Sequence, residues 1–407
     1  MTSQSREKLR ERLISYFVNG AGTDRRLGVE IEHFLTDLRS GETLPYDGPR
    51  GMEEFLRRFA ASLPEIRPIR EEGHLLGFET PGYTITLDPA AQLEISIVPE
   101  NSIRTIREIY EDFLKKASPI LRDMDAVLQT CGYQPRSRVA DLPLIPKERY
   151  RLMDAHFAGT GDGRGGRQMM RGTASTQISI DYSSEEDFRR KLQALAVLSP
   201  LLRLLCENTP VFEGAPYTGH LLRTDIWRRT DPVRCGYPPG IFRPDYGFAD
   251  YAGWLLDVPL ILMHRGDGTR DTGTMTAAEV YAGRDTDEED LRHILSMVFP
   301  DVRLKRYLEI RFADAVSGER MLAYCALVKG IFYTEAGLTA CEELLGRLTD
   351  PARELIACED ELMRAGWDGM LYGESVRDAA IRFIDLAGRN LEEEERAYLE
   401  GFEGVIG

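Results

Sequence analysis

The chain predicts an α+β fold built on an antiparallel sheet, and three observations carry that prediction. Short segments with strict apolar–polar alternation recur along the 407 residues, and long helical stretches separate them at irregular intervals. There is no internal repeat, no low-complexity linker and no strand–helix–strand rhythm of the kind that builds a parallel sheet. Helical patterns cover residues 5–19, 101–131 and 184–207 and most of the tail from residue 318. The third of these opens on Ser183 and Glu186, spaced as a capping box that satisfies two orphan amides at a helix start. Strand patterns are "LGVEIEHFL", "YTITLDPAAQLEISIVP", "STQISIDYS", "WLLDVPLILM" and "RYLEIRFAD".

Face by face, these strands divide sharply. Glu30 and Glu32 stand on one side of the first strand, about 7 Å apart, while Val29, Ile31 and Phe34 are assigned to the core. His33 alternates away from the two glutamates and reads as a core histidine, or one that supports a ligand from behind, rather than as a ligand. Leu93 and Ile95 oppose Gln92, Glu94 and Ser96; Ile178 and Ile180 oppose Gln177, Ser179 and Asp181; Leu308, Ile310 and Phe312 oppose Tyr307, Glu309 and Arg311. Antiparallel sheets commonly leave one face solvated, but such faces favour Thr, Lys and Ser. Here the polar face carries Glu, Gln and Arg, so a solvated face and a binding face both fit.

Composition narrows the function. With 51 Lys+Arg against 67 Asp+Glu the net charge is −16, which argues against a nucleic-acid binder. Six cysteines (Cys131, Cys206, Cys235, Cys325, Cys341, Cys358) are scattered with no CxxC pair, a pattern of reduced thiols. The opening "MTSQSREKLRERLISYF" reads as a charged amphipathic helix without a secretory core, and no apolar run reaches membrane-spanning length. A cytoplasmic protein, apart from membranes and nucleic acid, is the expectation.

Glutamates sharing one sheet face repel one another unless something positive lies among them. Mg²⁺ would serve, since it takes carboxylate oxygens and keeps positions for substrate phosphates. Arg311, on the face of Glu309, has the planar fork to grip a phosphate oxygen. A carboxyl pair sharing a proton is the rival account. The loop "AGTGDGRGGRQMMRGT" contains Gly161, Gly163 and Gly166 in GxGxxG spacing, but no strand pattern precedes it, so a dinucleotide fingerprint is not expected.

Taken in order, "GVEIEHF", "LDPAAQLEIS", "IPKERYRLMD", "MMRGTASTQISIDYSSEEDFRRKL", "HLLRTDIW", "YAGWLLDVP", "FPDVRLKRYLEIRFAD" and "SVRDAAIRFIDLAG" resemble the glutamate–cysteine ligase family of the plant and proteobacterial type. The resemblance spans nearly the whole chain. It implies a glutamine-synthetase-like catalytic core, α+β with a curved open antiparallel sheet forming a funnel and helices on its outer face. Residues 1–407 would form a single catalytic ligase domain. The implied reaction is ATP- and Mg²⁺-dependent (two or three ions) joining of the glutamate γ-carboxylate to the cysteine amine through γ-glutamyl phosphate.

Position by position, the resemblance implies that Glu30, Glu32, Glu94 and Glu309 are metal-binding acids, with Asp88 near a further one. Gln177 falls where some relatives carry a metal-binding histidine, and an amide oxygen can also take Mg²⁺ or meet ATP. Arg311 would meet ATP phosphate and Arg223 the glutamate substrate; Trp227 and Tyr251 would shape the amino-acid pockets. The positions of the plant regulatory disulfide align with Ile106 and Leu322, so a redox switch of that kind is not expected. Another small amine as acceptor, or a non-catalytic nucleotide- or amino-acid-binding relative, remain alternatives, as do monomer and homodimer.

Overall fold

A computed structural model describes residues 3–160, 165–265 and 268–406. Among them, nine strands form one large sheet: β1 (Leu27–Asp37), β2 (Arg67–Glu71), β3 (His74–Glu79), β4 (Tyr83–Leu87), β5 (Leu93–Glu100), β6 (Ala126–Gln129), β7 (Thr176–Ile180), β8 (Val302–Leu304) and β9 (Leu308–Ile310). Their order is β8-β9-β7-β1-β5-β4-β3-β2, with β6 paired to the far end of β1, and every pairing is antiparallel. Strand β1 is the hinge of the arrangement, because β5 flanks it on one side and β7 on the other.

The helices that position the sheet and its site are α1 (Ser3–Val18), α2 (Met52–Ala61), α3 (Ile103–Asp123), α4 (Glu148–Ala158), α5 (Gly165–Gly172), α6 (Glu185–Leu205), α7 (Leu222–Arg228), α8 (Phe248–Asp257), α9 (Glu288–Leu295), α10 (Gly318–Phe332), α11 (Glu335–Leu345), α12 (Pro351–Ala365) and α13 (Val376–Arg389). Register explains the layering. Val29 faces Ile97 and Ile178, and Ile31 faces Ile95, so one side of the central strands is mainly aliphatic and buried, with Thr176 and His33 as its polar members. Each such side chain removed from water contributes about 1.5–3 kcal/mol. Helix α3 packs on β5 and β6, and α6 on β8 and β9. The shorter helices α4, α5 and α7 pack against one another and stand over the polar side instead.

Several boundaries differ from the sequence reading. Helix α3 stops at Asp123 rather than near residue 131, because Asp125 turns left-handed (φ 46°) and the chain re-enters the sheet as β6. Arg50 caps that end, donating to the Met124 and Asp125 carbonyls. The cap of α6 lies one residue later: Ser184 Oγ accepts from the Asp187 amide, and Asp187 accepts from Ser183. "WLLDVPLILM" is not one strand. Its first half closes helix α8, whose buried Phe248, Tyr251, Ala252, Leu255 and Leu256 follow helical spacing, and Pro259 ends the helix. The second half enters a two-stranded hairpin, Leu262–Arg265 with Gly268–Asp271.

Phe34 also departs from expectation. It shares the face of Glu30 and Glu32 and packs in a small separate cluster with Cys131, Ala174 and Ala315. His33 is a core residue, with Nε2 2.9 Å from the Tyr110 hydroxyl and Nδ1 3.3 Å from the Leu93 carbonyl. Burial lowers its pKa to about 4, so it is neutral. All six cysteines are free and buried. Among the described residues, no helix is long and apolar enough to cross a membrane.

Candidate active site

The polar face of the sheet and the helices over it enclose a cavity of about 1090 Å³. Glu30, Glu32, Asp88, Glu94, Gln177, Arg223, Trp227, Glu309 and Arg311 all line it. Tyr251 does not. It is fully buried behind β8, its hydroxyl accepts the Leu304 amide at 3.0 Å, and its ring meets Phe17 edge-on. An apolar ring at helical spacing on α8 belongs to the core, which corrects its assignment to an amino-acid pocket.

Register brings the acids together. Glu32 and Glu94 are directly opposite on β1 and β5, a pairing that like charges oppose. Asp88 joins them from the turn after β4, where the Asp88 amide donates to the Gln92 carbonyl and Ala91 is held left-handed (φ 65°). Gln92 pins that turn by accepting the Ala90 amide and donating to the Met170 and Thr173 carbonyls. One oxygen each of Glu32, Asp88 and Glu94 lies within 4.8 Å of the others, a donor set of hard oxygens that fits a divalent cation. Burial is the largest influence on all three and raises their pKa; the charges of neighbouring acids raise Asp88 and Glu94 further. Glu30, one step along β1, is pushed up to about 8 by burial and then by Glu94 and Glu309.

The opposite charge is concentrated on the other side. Glu309 is fully buried, and burial alone would raise its pKa. Arg303 (2.7 Å), Lys305 (2.6 Å) and Arg311 (3.0 Å) outweigh burial and hold it well below the usual carboxylate range. Three cations around one carboxylate leave net positive charge facing the cavity, which suits phosphate oxygens. The cavity is therefore sorted into an acid-rich half, which Lys147 and Arg223 approach, and a cation-rich half.

A third region lies on α7. Arg223 and Trp227, one helical turn apart, stack with the guanidinium 5.2 Å from the indole centroid. Arg223 is only 6% exposed, and neither its Nε nor the Trp227 Nε1 has a hydrogen-bond partner among the described residues. Burial lowers the Arg223 pKa to about 10, partly offset by Glu32 and Asp314. A buried guanidinium without a paired carboxylate calls for an anion from outside the chain.

Sequence reasoning missed several residues. Arg303 and Lys305 were legible in principle, because in "DVRLKRYLEI" Arg303 alternates with the buried Val302 and Leu304 and pairs with Glu309 across β8 and β9. Ser175 shares the parity of Gln177; its amide and hydroxyl donate to Glu32 at 2.8 and 2.7 Å. Lys147 and Arg149 reach the cavity from the start of α4, and Met169 and Met170 from α5. No local pattern announces these, since helix packing alone delivers them. In the glycine-rich loop, Gly161 and Gly163 lie outside the described residues. Gly166 sits within α5, where a Cβ would come within 2.4 Å of the Phe157 Cβ, so it serves helix contact.

Comparison with known proteins places the chain in a family. Residues 26–406 match the sequence model of glutamate–cysteine ligase family 2. The chloroplastic glutamate–cysteine ligase of Arabidopsis thaliana is 31% identical over 356 residues, 85% of this chain and 67% of that enzyme. Glutamate–cysteine ligase A of Oryza sativa subsp. indica, also chloroplastic, is 29% identical over 402 residues, 96% of this chain and 79% of its own. Among solved structures, the glutamate–cysteine ligase of Francisella tularensis in complex with AMP superposes with a TM-score of 0.53 at 12% identity, covering 95% of this chain and 83% of that one. That likeness concerns the fold, and it bears out the glutamine-synthetase-like α+β architecture. The plant relatives overturn the expected cytoplasmic location, since they are chloroplastic enzymes. Scattered thiols separate reducing from oxidising compartments and say nothing finer. Matched along nearly its whole length, the chain belongs to glutamate–cysteine ligase family 2.

Proposed function

We propose that the chain, acting as one catalytic unit, joins the γ-carboxylate of glutamate to the amine of cysteine at the expense of ATP, giving γ-glutamylcysteine. The single observation that carries this reading is the sorting of charge within one cavity. An acid trio fits a divalent cation, a cation cluster fits phosphates, and a buried unpaired guanidinium fits a carboxylate. Family membership and the AMP bound to the Francisella tularensis ligase support the nucleotide part.

Glu32, Asp88 and Glu94, with Glu30 beside them, would hold Mg²⁺, which when bound neutralises phosphate charge and orients the phosphates for transfer. Arg311, Arg303 and Lys305 would steady the phosphate oxygens. Arg223 and the Trp227 Nε1 would hold a substrate carboxylate in place. A carboxylate is a poor electrophile; taking the γ-phosphoryl group of ATP and releasing ADP gives γ-glutamyl phosphate, with a good leaving group. The amine, free of its proton, then attacks the acyl carbon, and phosphate departs. The protein contributes positioning and charge neutralisation, which is how phosphoryl transfer is ordinarily catalysed.

Incubating the protein with ATP, Mg²⁺, glutamate and pooled amino acids, then weighing the products, tests the reading. The expected product is γ-glutamylcysteine with one ADP per bond formed. A γ-glutamyl adduct of another amine would keep the chemistry and replace the acceptor. No adduct with any amine would defeat it.

A further inference from the structure

We propose that Gln177 is a positioning residue that ties the phosphate-gripping Arg311 to the cation-holding Glu32, and is not itself a cation ligand. The inference rests on the proposed function and refines one position within it. The amide of Gln177 is 4% exposed and spans the border between the two halves of the cavity. Its Nε2 donates to Glu32 Oε1 at 3.0 Å and to Ser175 Oγ at 3.1 Å. Its Oε1 accepts from Arg311 Nη1 at 2.8 Å. Arg311 Nη1 in turn reaches Glu309 Oε2 at 3.0 Å. The chain Glu32–Gln177–Arg311–Glu309 therefore crosses from β1 through β7 to the residue just after β9.

Charge fixes the direction of the amide. Turned over, Oε1 would face the Glu32 carboxylate and the NH₂ would face the Arg311 guanidinium, two repulsions in place of two bonds. The oxygen that would have to serve a cation is thus already bound to a cation of the protein. An acceptor on one end and a donor on the other suits a neutral amide between an anion and a guanidinium. Gln177 also holds Arg311 away from Glu32, whose negative charge attracts it. A guanidinium settled on Glu32 would occupy the place a divalent ion needs.

The test pairs a direct metal measurement with a nucleotide measurement on Gln177→Met and Gln177→Glu. Mn²⁺ binding to the nucleotide-free protein is read by electron paramagnetic resonance, with Glu94→Gln as the benchmark for loss of a ligand. The expected result for Gln177→Met is Mn²⁺ affinity within about three-fold of wild type, since Ser175 still holds Glu32 through two bonds. Its KM for ATP should rise roughly ten-fold or more, the scale of one lost hydrogen bond to a charged group. Gln177→Glu, whose carboxylate still accepts from Arg311, should recover most of that ATP affinity. A Mn²⁺ loss in Gln177→Met as large as in Glu94→Gln, or an unchanged KM for ATP, would overturn the assignment. If Glu94→Gln left Mn²⁺ binding intact, the cation reading of the acid trio would fail, and the ATP measurements would still decide the role of Gln177.

Discussion

Replacing Arg223 by methionine should make the free protein more stable while disabling it. The guanidinium is buried, and its pKa falls from 12.5 to about 10, chiefly through burial. A base whose folded pKa lies below its unfolded value is charged less readily in the folded state. At pH 7 it is charged in both states, so the folded state bears the whole penalty, about 3 kcal/mol at 1.36 kcal/mol per unit. Methionine removes that penalty and forfeits the stacking on Trp227, about 0.5–2 kcal/mol. The net gain is about 1–2.5 kcal/mol, and for a chain of this size it should raise the melting temperature by about 1–3 °C. Binding moves the other way. Removing one member of a buried charge pair costs about 2–5 kcal/mol, so kcat/KM for glutamate should fall by about 30-fold to several thousand-fold. Thermal unfolding with and without glutamate, together with steady-state kinetics, reads both effects. In wild type glutamate should raise the melting temperature, and in the variant it should not. A variant that melted lower than wild type and kept its KM for glutamate would refute the reasoning.

Glu30 holds its proton to about pH 8 in the metal-free fold, whereas an unfolded chain releases it near 4.5. Metal-free stability therefore declines as pH rises through that interval. A cation displaces the proton, so calorimetry at pH 7 in two buffers should show proton release on Mg²⁺ binding, to which Glu30 contributes nearly one. Glu30→Gln should lower the release by that amount and abolish turnover without unfolding the protein; near-normal activity would remove Glu30 from the metal site. His33 behaves oppositely. Its pKa of about 4, against 6.5 in water, gives stability that is complete above pH 6.5 and lost toward pH 4, about 3 kcal/mol in all. His33→Gln should flatten that acid limb in pH-dependent unfolding curves. Arg303→Met should free Glu309 from one of its three cations and raise KM for ATP more than KM for glutamate, read from initial rates with each substrate varied.

What the sequence determined by itself is the division of faces. Alternation on β1, β5, β7 and β9 places Glu30, Glu32, Glu94, Gln177 and Glu309 on one side, because a strand has period two and any slip would bury charge. His33 was legible for the same reason. Helix α8 was not, since "WLLDVP" is apolar but for Asp257 and a short apolar run fits either period. Ordered motifs, more than periodicity, pointed to the family. Only the tertiary structure decided who stands beside whom. It set Asp88 with Glu32 and Glu94 through a turn, gave Glu309 three cations, withdrew Tyr251 into the core and turned the oxygen of Gln177 toward Arg311. Several of these contacts join distant residues, Gln177 and Arg311 being 134 positions apart, and are made by pairing register and helix packing. Apart from the cations of Glu309, which lie within six residues of it, local spacing carries no record of these contacts, because the chain is indifferent to which distant segment completes its hydrogen bonds until the sheet has closed.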